Sequence, residues 1–293
     1  MAPSGFLTGT GENASSNVHP FYLHSDQSLI EVTLVAAAVI APLYLRHKLK
    51  EIDMPTVTQT VREIALNQPS SIRVFEEFGI DYCCGGRKPL GVVCAEKEIE
   101  IDEVLAALAS AAAQTVPVSK DWNKASLKEL SDHIVSRHHS YARQELPRLH
   151  TLAEKVVKRH GSKHTELPEI QSALKSLDQE LTQHLAKEEM VLFPYIAKME
   201  GALVEGKPRP ESCFGTVANP VAMMTKEHDA AGALLAKIRE LSHNFTLPED
   251  ACPTYHGFYD SLKEFERDLH QHIHLENNIL FPRAIDMEAS IAA

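Results

Sequence analysis

The sequence has 293 residues, which is enough for one sizeable hydrophobic core and a second, smaller domain. Its formal net charge of -11 disfavours binding to a polyanion, so we expect no nucleic-acid partner. The five cysteines are odd in number and irregularly spaced, unlike the framework of a disulfide-stabilised secreted domain. We therefore expect a reducing compartment for this chain.

Residues 1–53 differ in composition from the rest of the chain. Residues 1–27 are rich in Gly, Ser, Asn and Pro, which predicts no packed structure. Residues 30–45 are mostly apolar, but a membrane-spanning helix needs about 20 apolar residues, so this run is short for an anchor. We interpret 1–53 as a disordered extension and expect no membrane partner, with an anchor as the alternative. Met54 is an alternative start of translation.

Residues 54–115 are predicted to form a small helical domain, whose last helix spans about 102–113. Its most unusual feature is the adjacent pair Cys83 and Cys84, followed by Gly85 and Gly86. Because core cysteines usually occur singly, this combination favours an exposed, flexible turn. Such a pair can form a strained disulfide, hold a soft metal or exchange with another disulfide. We assign Cys83 and Cys84 a redox or docking role.

Residues 120–288 are predicted to form four helices. Ser126 and Glu129 form a capping box, and Asn219 followed by Pro220 marks another helix start. Loops are predicted where Gly or Pro residues cluster, near 200–219 and 247–253. The four helices form two similar helix pairs, which most simply make an antiparallel four-helix bundle, and the whole chain is predicted to be all-α.

One motif occurs twice in this region: His, three residues, Glu, three residues, and then Leu-Phe-Pro. The first copy begins at His184 and contains Glu188; the second begins at His272 and contains Glu276. Residues four apart share a helix face, so each copy places an imidazole beside a carboxylate. A carboxylate on a buried stripe is costly unless it is paired or metal-bound.

Each of the four predicted helices has one histidine on its apolar stripe. The stripes that fix these assignments are Val135, His139, Ala142 and Leu146; Leu181, His184, Glu188 and Val191; Val221, Met224, His228 and Ala231; and Leu269, His272, Glu276 and Ile279. His139 and His184 are 45 positions apart, and His228 and His272 are 44 apart, so the bundle is built from two similar helix pairs.

Four imidazoles and two carboxylates are too many ligands for one structural zinc ion, which takes four. They suit two metal ions bridged by the carboxylates, with iron favoured over manganese. Ferritin-like sites are richer in glutamate, so the excess of imidazole indicates a hemerythrin-like site. The alternative, four unrelated core histidines, requires four coincidences of register.

Two further acidic residues are candidates to support the ligands. Glu180 lies one turn before His184, and Glu227 lies beside His228; the alternative for both is a solvent-facing charge. The remaining histidines near the motifs fall off the apolar stripes and are expected to face outward: His133, His138, His270 and His274.

From Met54 to Met287 the chain resembles the di-iron family of iron–sulfur cluster repair proteins, also called RIC or ScdA-type proteins. Three motifs carry the resemblance: Asp-Tyr-Cys-Cys-Gly-Gly from Asp81, Lys-Asp-Trp from Lys120, and His-x3-Glu-Asn-Asn-x-Leu-Phe-Pro from His272. It implies a ScdA-type domain followed by a hemerythrin-like bundle. The family's ligands match the six residues chosen by periodicity: His139, His184, Glu188, His228, His272 and Glu276.

The resemblance also implies two non-haem iron ions, bridged by an oxo group and by carboxylates. It implies a cytoplasmic protein that repairs iron–sulfur clusters damaged by oxidative or nitrosative stress. We expect iron to be supplied to damaged iron–sulfur proteins, with an electron donor and a homodimer both left open. The alternatives are a di-iron nitric oxide reductase, which would make the chain an enzyme, and a sensor that binds dioxygen or nitric oxide.

Overall fold

The computed structural model describes residues 54–113 and 120–292, and regular secondary structure there is helical. The extension 1–53 and its apolar run lie outside the described residues, so the predictions made for it stay open. Within the described part of the chain, no helix is both long and apolar enough to span a membrane. The all-α prediction is confirmed.

Eight helices make up this structure. The first four are α1 (Val61–Asn67), α2 (Ser71–Glu77), α3 (Leu90–Glu96) and α4 (Ile101–Ala113). The four long helices are α5 (Leu127–His133 to Ser140–His160), α6 (Glu166–Lys187 to Phe193–Val204), α7 (Ala218–Leu241) and α8 (Pro253–His274 to Phe281–Ala292). A π-helical segment interrupts three of them: Ile134–His139 in α5, Glu188–Leu192 in α6 and Leu275–Leu280 in α8.

Local sequence explains several helix starts. Thr60 caps α1 by accepting a hydrogen bond from the Glu63 backbone N–H, and the Glu63 side chain accepts one in return. Ser126 accepts from the Glu129 N–H at the start of α5, where the capping box was predicted. The helix predicted to start after Asn219 begins at Ala218, which is within the usual uncertainty of a helix end.

The four long helices form the bundle: α5 packs against α6 and α8, and α6 packs against α7. Two apolar clusters flank a buried polar layer along it. One includes Leu149, Leu177 and Phe265, and the other includes Leu130 and Ile196. Since every helix contributes apolar side chains on both sides of the layer, the polar residues between them are fixed in position and shielded from water.

The π-helical segments shift the register of the apolar stripes. A π-helical turn contains more residues than an α-helical turn, so the periodicity expected for an α-helix fails beyond it. Val191, predicted to lie on the buried stripe, is exposed, while Leu192 is buried. Likewise Ile134 is fully buried, whereas Val135 is only half-buried. The stripe prediction was therefore wrong by one residue at these two places.

The small helical region packs against the π-helical segment of α8. Pro282 has no N–H, so the carbonyl oxygen of Asn278, four residues earlier, lacks its usual helical donor. That oxygen accepts a hydrogen bond of 3.1 Å from the Arg62 guanidinium. The Asn278 side chain donates to the Tyr82 carbonyl oxygen at 2.9 Å and to His274 Nδ1 at 2.8 Å. One residue thus joins the cysteine-containing turn to α8.

Candidate metal centre

The buried polar layer contains all six predicted ligands. Each of these residues is at most 3% exposed. They come from four different helices: His139 on α5, His184 and Glu188 on α6, His228 on α7, and His272 and Glu276 on α8. Glu188 and Glu276 both lie in π-helical segments, which are often found at functional sites.

The six side chains form two groups that share both carboxylates. His139 Nε2 and His272 Nε2 are 3.1 Å apart in one group, and His184 Nε2 and His228 Nε2 are 3.0 Å apart in the other. Glu188 points one oxygen at each group, 3.4 Å from His139 Nε2 and 3.3 Å from His184 Nε2.

Glu276 repeats this arrangement from the opposite side. One of its oxygens lies 3.0 Å from His272 Nε2 and the other lies 3.0 Å from His228 Nε2. Each carboxylate therefore reaches from one histidine pair to the other, as a ligand that bridges two cations would.

Hydrogen bonding alone does not satisfy this cluster. Both oxygens of Glu188 and Oε2 of Glu276 are buried and lack a well-oriented hydrogen-bond donor within the described residues. Buried carboxylate oxygens without donors are rare because of the large free-energy cost of desolvating them. Four converging imidazoles and two such carboxylates fit iron, because nitrogen and oxygen donors of this mixture suit that metal.

Three of the four imidazoles are oriented by residues outside the ligand set. His139 Nδ1 is 2.7 Å from Glu189 Oε1, and His184 Nδ1 is 2.9 Å from Glu227 Oε2. A carboxylate at Nδ1 fixes the proton on that nitrogen and leaves the lone pair on Nε2, the atom that faces the cluster.

His228 is oriented by an amide instead. Its Nδ1 is 2.9 Å from Asn277 Oδ1, and the Asn277 side chain also donates to the Cys83 carbonyl oxygen at 3.4 Å. Sequence reasoning found Glu227 but missed Glu189 and Asn277. Both follow a motif glutamate directly in sequence, and that adjacency was the available signal.

The charges in the cluster strongly affect one another. Burial by itself lowers the pKa of His184, but Glu188, Glu276 and Glu227 outweigh it and raise that pKa to about 9. Burial would raise the pKa of Glu276, yet His272 and His228 hold the pKa of that carboxyl well below its usual range. This shift favours the ionised form of Glu276, which is the form that binds a metal ion.

Glu180, the other residue proposed to support a ligand, makes no hydrogen bond to a candidate ligand within the described residues. It is exposed and lies at the mouth of a narrow cavity that leads to His184, His228 and His272. Leu181 and Leu269 are among the apolar residues that line the cavity. Glu227 therefore contacts a candidate ligand directly, through its hydrogen bond with His184. Glu180 instead lines the cavity that leads to the ligands.

Two of the histidines expected to face outward are instead buried. His138 is 4% exposed, stacks on His272 and lies 3.1 Å from Asp268. His274 is 3% exposed, and burial lowers its pKa to about 4. These predictions were wrong because the small helical region covers His274, and because the π-helical segment rotates His138 inward. His133 and His270 are half-buried.

The cysteine turn also differs from its prediction. Cys83 is only 5% exposed and Cys84 is half-buried, so the expectation of an exposed turn was wrong. The turn is held closed by Asp81, whose carboxylate accepts backbone hydrogen bonds from Cys83, Cys84 and Gly85 at 2.8–2.9 Å. The hydrogen bond with Cys84 and burial raise the pKa of the Cys83 thiol well above its usual value.

The turn is nonetheless next to the candidate metal centre. Cys84 Sγ lies 3.8 Å from the backbone oxygen of His228. The Asn277 side chain, which orients His228, also bonds to the Cys83 carbonyl oxygen. Both cysteines therefore lie beside His228 or the residue that orients it. The small helical region therefore forms part of the wall around the centre.

Comparison with known proteins agrees with this architecture. Residues 130–284 match the hemerythrin HHE cation-binding domain family, and residues 57–112 match the ScdA_N domain, whose function is described as unknown. The first match contains all six predicted ligands. The second contains the cysteine turn.

Characterised relatives match both regions together. The iron–sulfur cluster repair proteins YtfE of Escherichia coli O81 (strain ED1a) and of Escherichia fergusonii are each 39% identical over 227 residues. The alignments cover 78% of this chain and 96% of each relative. The chain therefore belongs to the hemerythrin HHE family, within the group of iron–sulfur cluster repair proteins that also have a ScdA_N domain.

Proposed function

We propose that this protein repairs iron–sulfur clusters damaged by oxidative or nitrosative stress, by supplying iron from a pair of non-haem iron ions. The main observation is the pair of histidine groups joined by Glu188 and Glu276. The relatives named as iron–sulfur cluster repair proteins support the repair role. Their names give no support to the nitric oxide reductase and gas-sensor alternatives.

Each iron ion would be held by two imidazoles and by one oxygen from each bridging glutamate. One ion would take His139 and His272, and the other would take His184 and His228. This gives four protein donors to each ion. Iron commonly has six ligands, so an oxo bridge and solvent would complete the coordination, and exchangeable positions remain for a recipient's ligands.

Two features of the site favour release of iron. The cavity is lined by both histidines of one ion, His184 and His228, but by only one histidine of the other, His272, so the first ion has the more open path to the surface. In addition, imidazoles bind metal only when neutral, so protons compete for these ligands and limit the affinity. We infer that the ion held by His184 and His228 is the first to leave.

We expect the location of the two thiols beside the candidate metal centre to matter more than their reactivity as nucleophiles. Thiolate is the nucleophilic form, and the raised pKa of Cys83 disfavours it. Cys84 is less buried and closer to His228, so a redox role falls to Cys84, with docking of a partner as the alternative. Residues 54–115 and 120–288 would then act as two cooperating domains.

Damaged iron–sulfur proteins are the proposed partners, and we place the repair in the cytoplasm. The name of the relatives supports the partner class. Fractionation of cells that produce the full chain would test the location, and recovery in the membrane fraction would contradict it. An electron donor would be needed only if iron leaves in the ferrous state after storage as ferric iron.

Iron content and iron transfer test the proposal directly. We expect the full chain, purified without oxygen, to contain about two iron ions and to transfer labelled iron into an apo iron–sulfur protein. The Glu276→Leu variant should lose most of its iron, because it removes the carboxylate shared by both histidine groups.

The matched control is His150→Ala, which removes a histidine that pairs with Asp178 on the bundle surface. It should retain both ions and the full transfer rate. A chain that holds two ions but transfers none would show that the repair role does not operate by iron supply. A chain that binds no iron would contradict the metal centre itself.

A further inference from the structure

A second cluster of metal-ligating side chains lies at the other end of the bundle. His160 is the last residue of α5, His164 lies in the turn before α6, and Asp250 lies in the loop between α7 and α8. His160 is 21 positions after His139 in a nearly continuous helix, so the cluster is about 30 Å from the candidate iron centre. It therefore belongs to a separate site.

His160 supplies the first observation. It is 7% exposed, and its Nε2 atom is buried with no hydrogen-bond partner among the described residues. The ring centroid of Tyr255 lies 5.4 Å from that of His160 and 5.9 Å from that of His164, so an aromatic ring packs against both imidazoles. A buried imidazole nitrogen without a partner is unfavourable, which implies a ligand for it.

His164 and Asp250 supply the second observation. Asp250 Oδ1 lies 3.0 Å from His164 Nε2, and Asp250 Oδ2 is 2.6 Å from Lys163 Nζ. Glu166 Oε1 lies 3.4 Å from the other His164 nitrogen, Nδ1, and favours a proton there. The carboxylate is therefore held by Lys163 through one oxygen, and Nε2 and Oδ1 face each other as ligand atoms of a metal site do.

We propose that His160, His164 and Asp250 bind a divalent transition-metal ion of the zinc class, with solvent as the fourth ligand. Their ligand atoms all lie within 4.8 Å of one another. Tetrahedral ligands at about 2.0–2.1 Å from zinc lie roughly 3.4 Å apart, so small movements of the surface residues His164 and Asp250 complete the site. Two imidazoles and one carboxylate suit zinc better than magnesium or calcium.

This donor set differs from that of the iron centre. It has one carboxylate, which is already engaged by Lys163 on its second oxygen, so the carboxylate holds one ion and does not bridge two. A surface ion pair between Asp250, Lys163 and His164 would explain three of these side chains. It leaves the buried nitrogen of His160 unexplained, whereas a metal ion accounts for it.

A metal ion at this position would act as a clamp on the bundle. It would join the α5–α6 turn to the α7–α8 loop. His164 in the turn and Asp250 in the loop are 86 positions apart in the sequence. Because the ion binds the folded chain and not the unfolded one, it would stabilise the bundle without contact with the iron ligands.

Cobalt(II) is the probe, because its tetrahedral complexes absorb visible light more strongly than its octahedral ones. The iron-loaded full chain is titrated with Co²⁺, and bound Co²⁺ is measured by absorbance and by equilibrium dialysis. We expect the wild-type chain to bind one Co²⁺ ion more per chain than His164→Ala and Asp250→Asn. Co²⁺ should also raise the melting temperature of the wild type but not that of His164→Ala or Asp250→Asn.

His150→Ala is the matched control, since it removes another histidine paired with an aspartate, Asp178, at 2.9 Å. It should bind the additional Co²⁺ ion as the wild type does. Both test substitutions are at partly exposed residues, and their iron content and iron transfer should stay unchanged, which separates this site from the iron centre. Equal Co²⁺ binding by wild type and His164→Ala, or no additional ion in the wild type, would overturn the proposal.

Discussion

Three of the four candidate ligand histidines, His139, His184 and His228, have their Nδ1 atom held by another side chain. A neutral imidazole carries one proton, and the metal-facing nitrogen is free only if that proton is on the other nitrogen. Glu189, Glu227 and Asn277 lie at this position for His139, His184 and His228. We expect them to contribute to metal affinity without contacting a bound ion.

The Glu227→Ala substitution tests this orientation. Glu227 lies 2.9 Å from His184 Nδ1 and is itself held by Lys187. Its loss should weaken iron binding by about 10–100-fold, the usual effect of removing such a partner. Competition with a chelator of known affinity measures the change.

Glu180→Ala is the control for that experiment, because it removes a carboxylate nearby that lies at the cavity mouth. Its iron affinity should stay close to that of the wild type. If the two variants lost affinity equally, overall negative charge near the cavity would be the cause, and the orienting role of Glu227 would be refuted.

Another buried carboxylate, Glu288, is expected to contribute to the pH dependence of stability. Burial alone would raise its pKa, but hydrogen bonds from the Thr216 hydroxyl and the Val217 N–H, with the Arg209 charge, lower the pKa. Because folding lowers the pKa of this carboxyl, it stabilises the fold at any pH above its pKa in the unfolded chain, near 4.5. This stabilisation is lost as the pH falls from there through the lower pKa of the folded chain.

Glu288→Gln should therefore lower the free energy of unfolding by about 1–3 kcal/mol at pH 7, since the buried donors lose a charged acceptor. The difference from wild type should shrink as the pH drops below 4.5. Denaturant unfolding at several pH values measures it. A difference that stays constant down to pH 3 would show that the charge of Glu288 is not responsible.

At the scale of the secondary-structure elements, the π-helical segments place the ligands. They lie on three of the four long helices, and His139, Glu188 and Glu276 are inside them. A wider turn moves these residues relative to the α-helical register and leaves backbone groups without their usual partners. In α8, Pro282 has no N–H to donate, and the carbonyl oxygen of Asn278 accepts a hydrogen bond from Arg62 instead.

Asn278→Ala should loosen the contact between the small helical region and α8. The substitution removes donors to the Tyr82 carbonyl oxygen and to His274, so we expect a loss of about 1–3 kcal/mol in unfolding free energy. Hydrogen exchange in the cysteine turn should become faster, and thiol reagents should reach Cys83.

Ser290→Ala serves as the control, since its hydroxyl bonds only within α8, to the Met287 carbonyl oxygen. It should leave the exchange rate of the cysteine turn unchanged. An unchanged rate in Asn278→Ala as well would mean that other contacts hold the turn in place.

Across the whole molecule, iron and folding should be linked. The ligands come from four helices, and the two buried carboxylates repel each other when no cation lies between them. Chelation of the iron should therefore lower the melting temperature. Calorimetry before and after chelation, with restoration by added iron, measures the effect; equal melting temperatures would contradict it.

The periodicity of the sequence determined much of this protein. Apolar residues at helical spacing specified the four long helices, and the same spacing placed His139, His184, His228 and His272 with Glu188 and Glu276 on their buried faces. That worked because residues three and four apart share a helix face, a local property that needs no knowledge of the rest of the fold.

Only the tertiary structure decided what lies around those six residues. Glu189 reaches His139 from another helix, Asn277 links His228 to the cysteine turn, and Cys83, His138 and His274 are buried. Such contacts depend on how helices pack, and the π-helical segments change which side chains face inward. The spacing of residues along one helix encodes neither the packing of the helices nor the positions of the π-helical segments. Contacts between helices join residues that are far apart in the sequence.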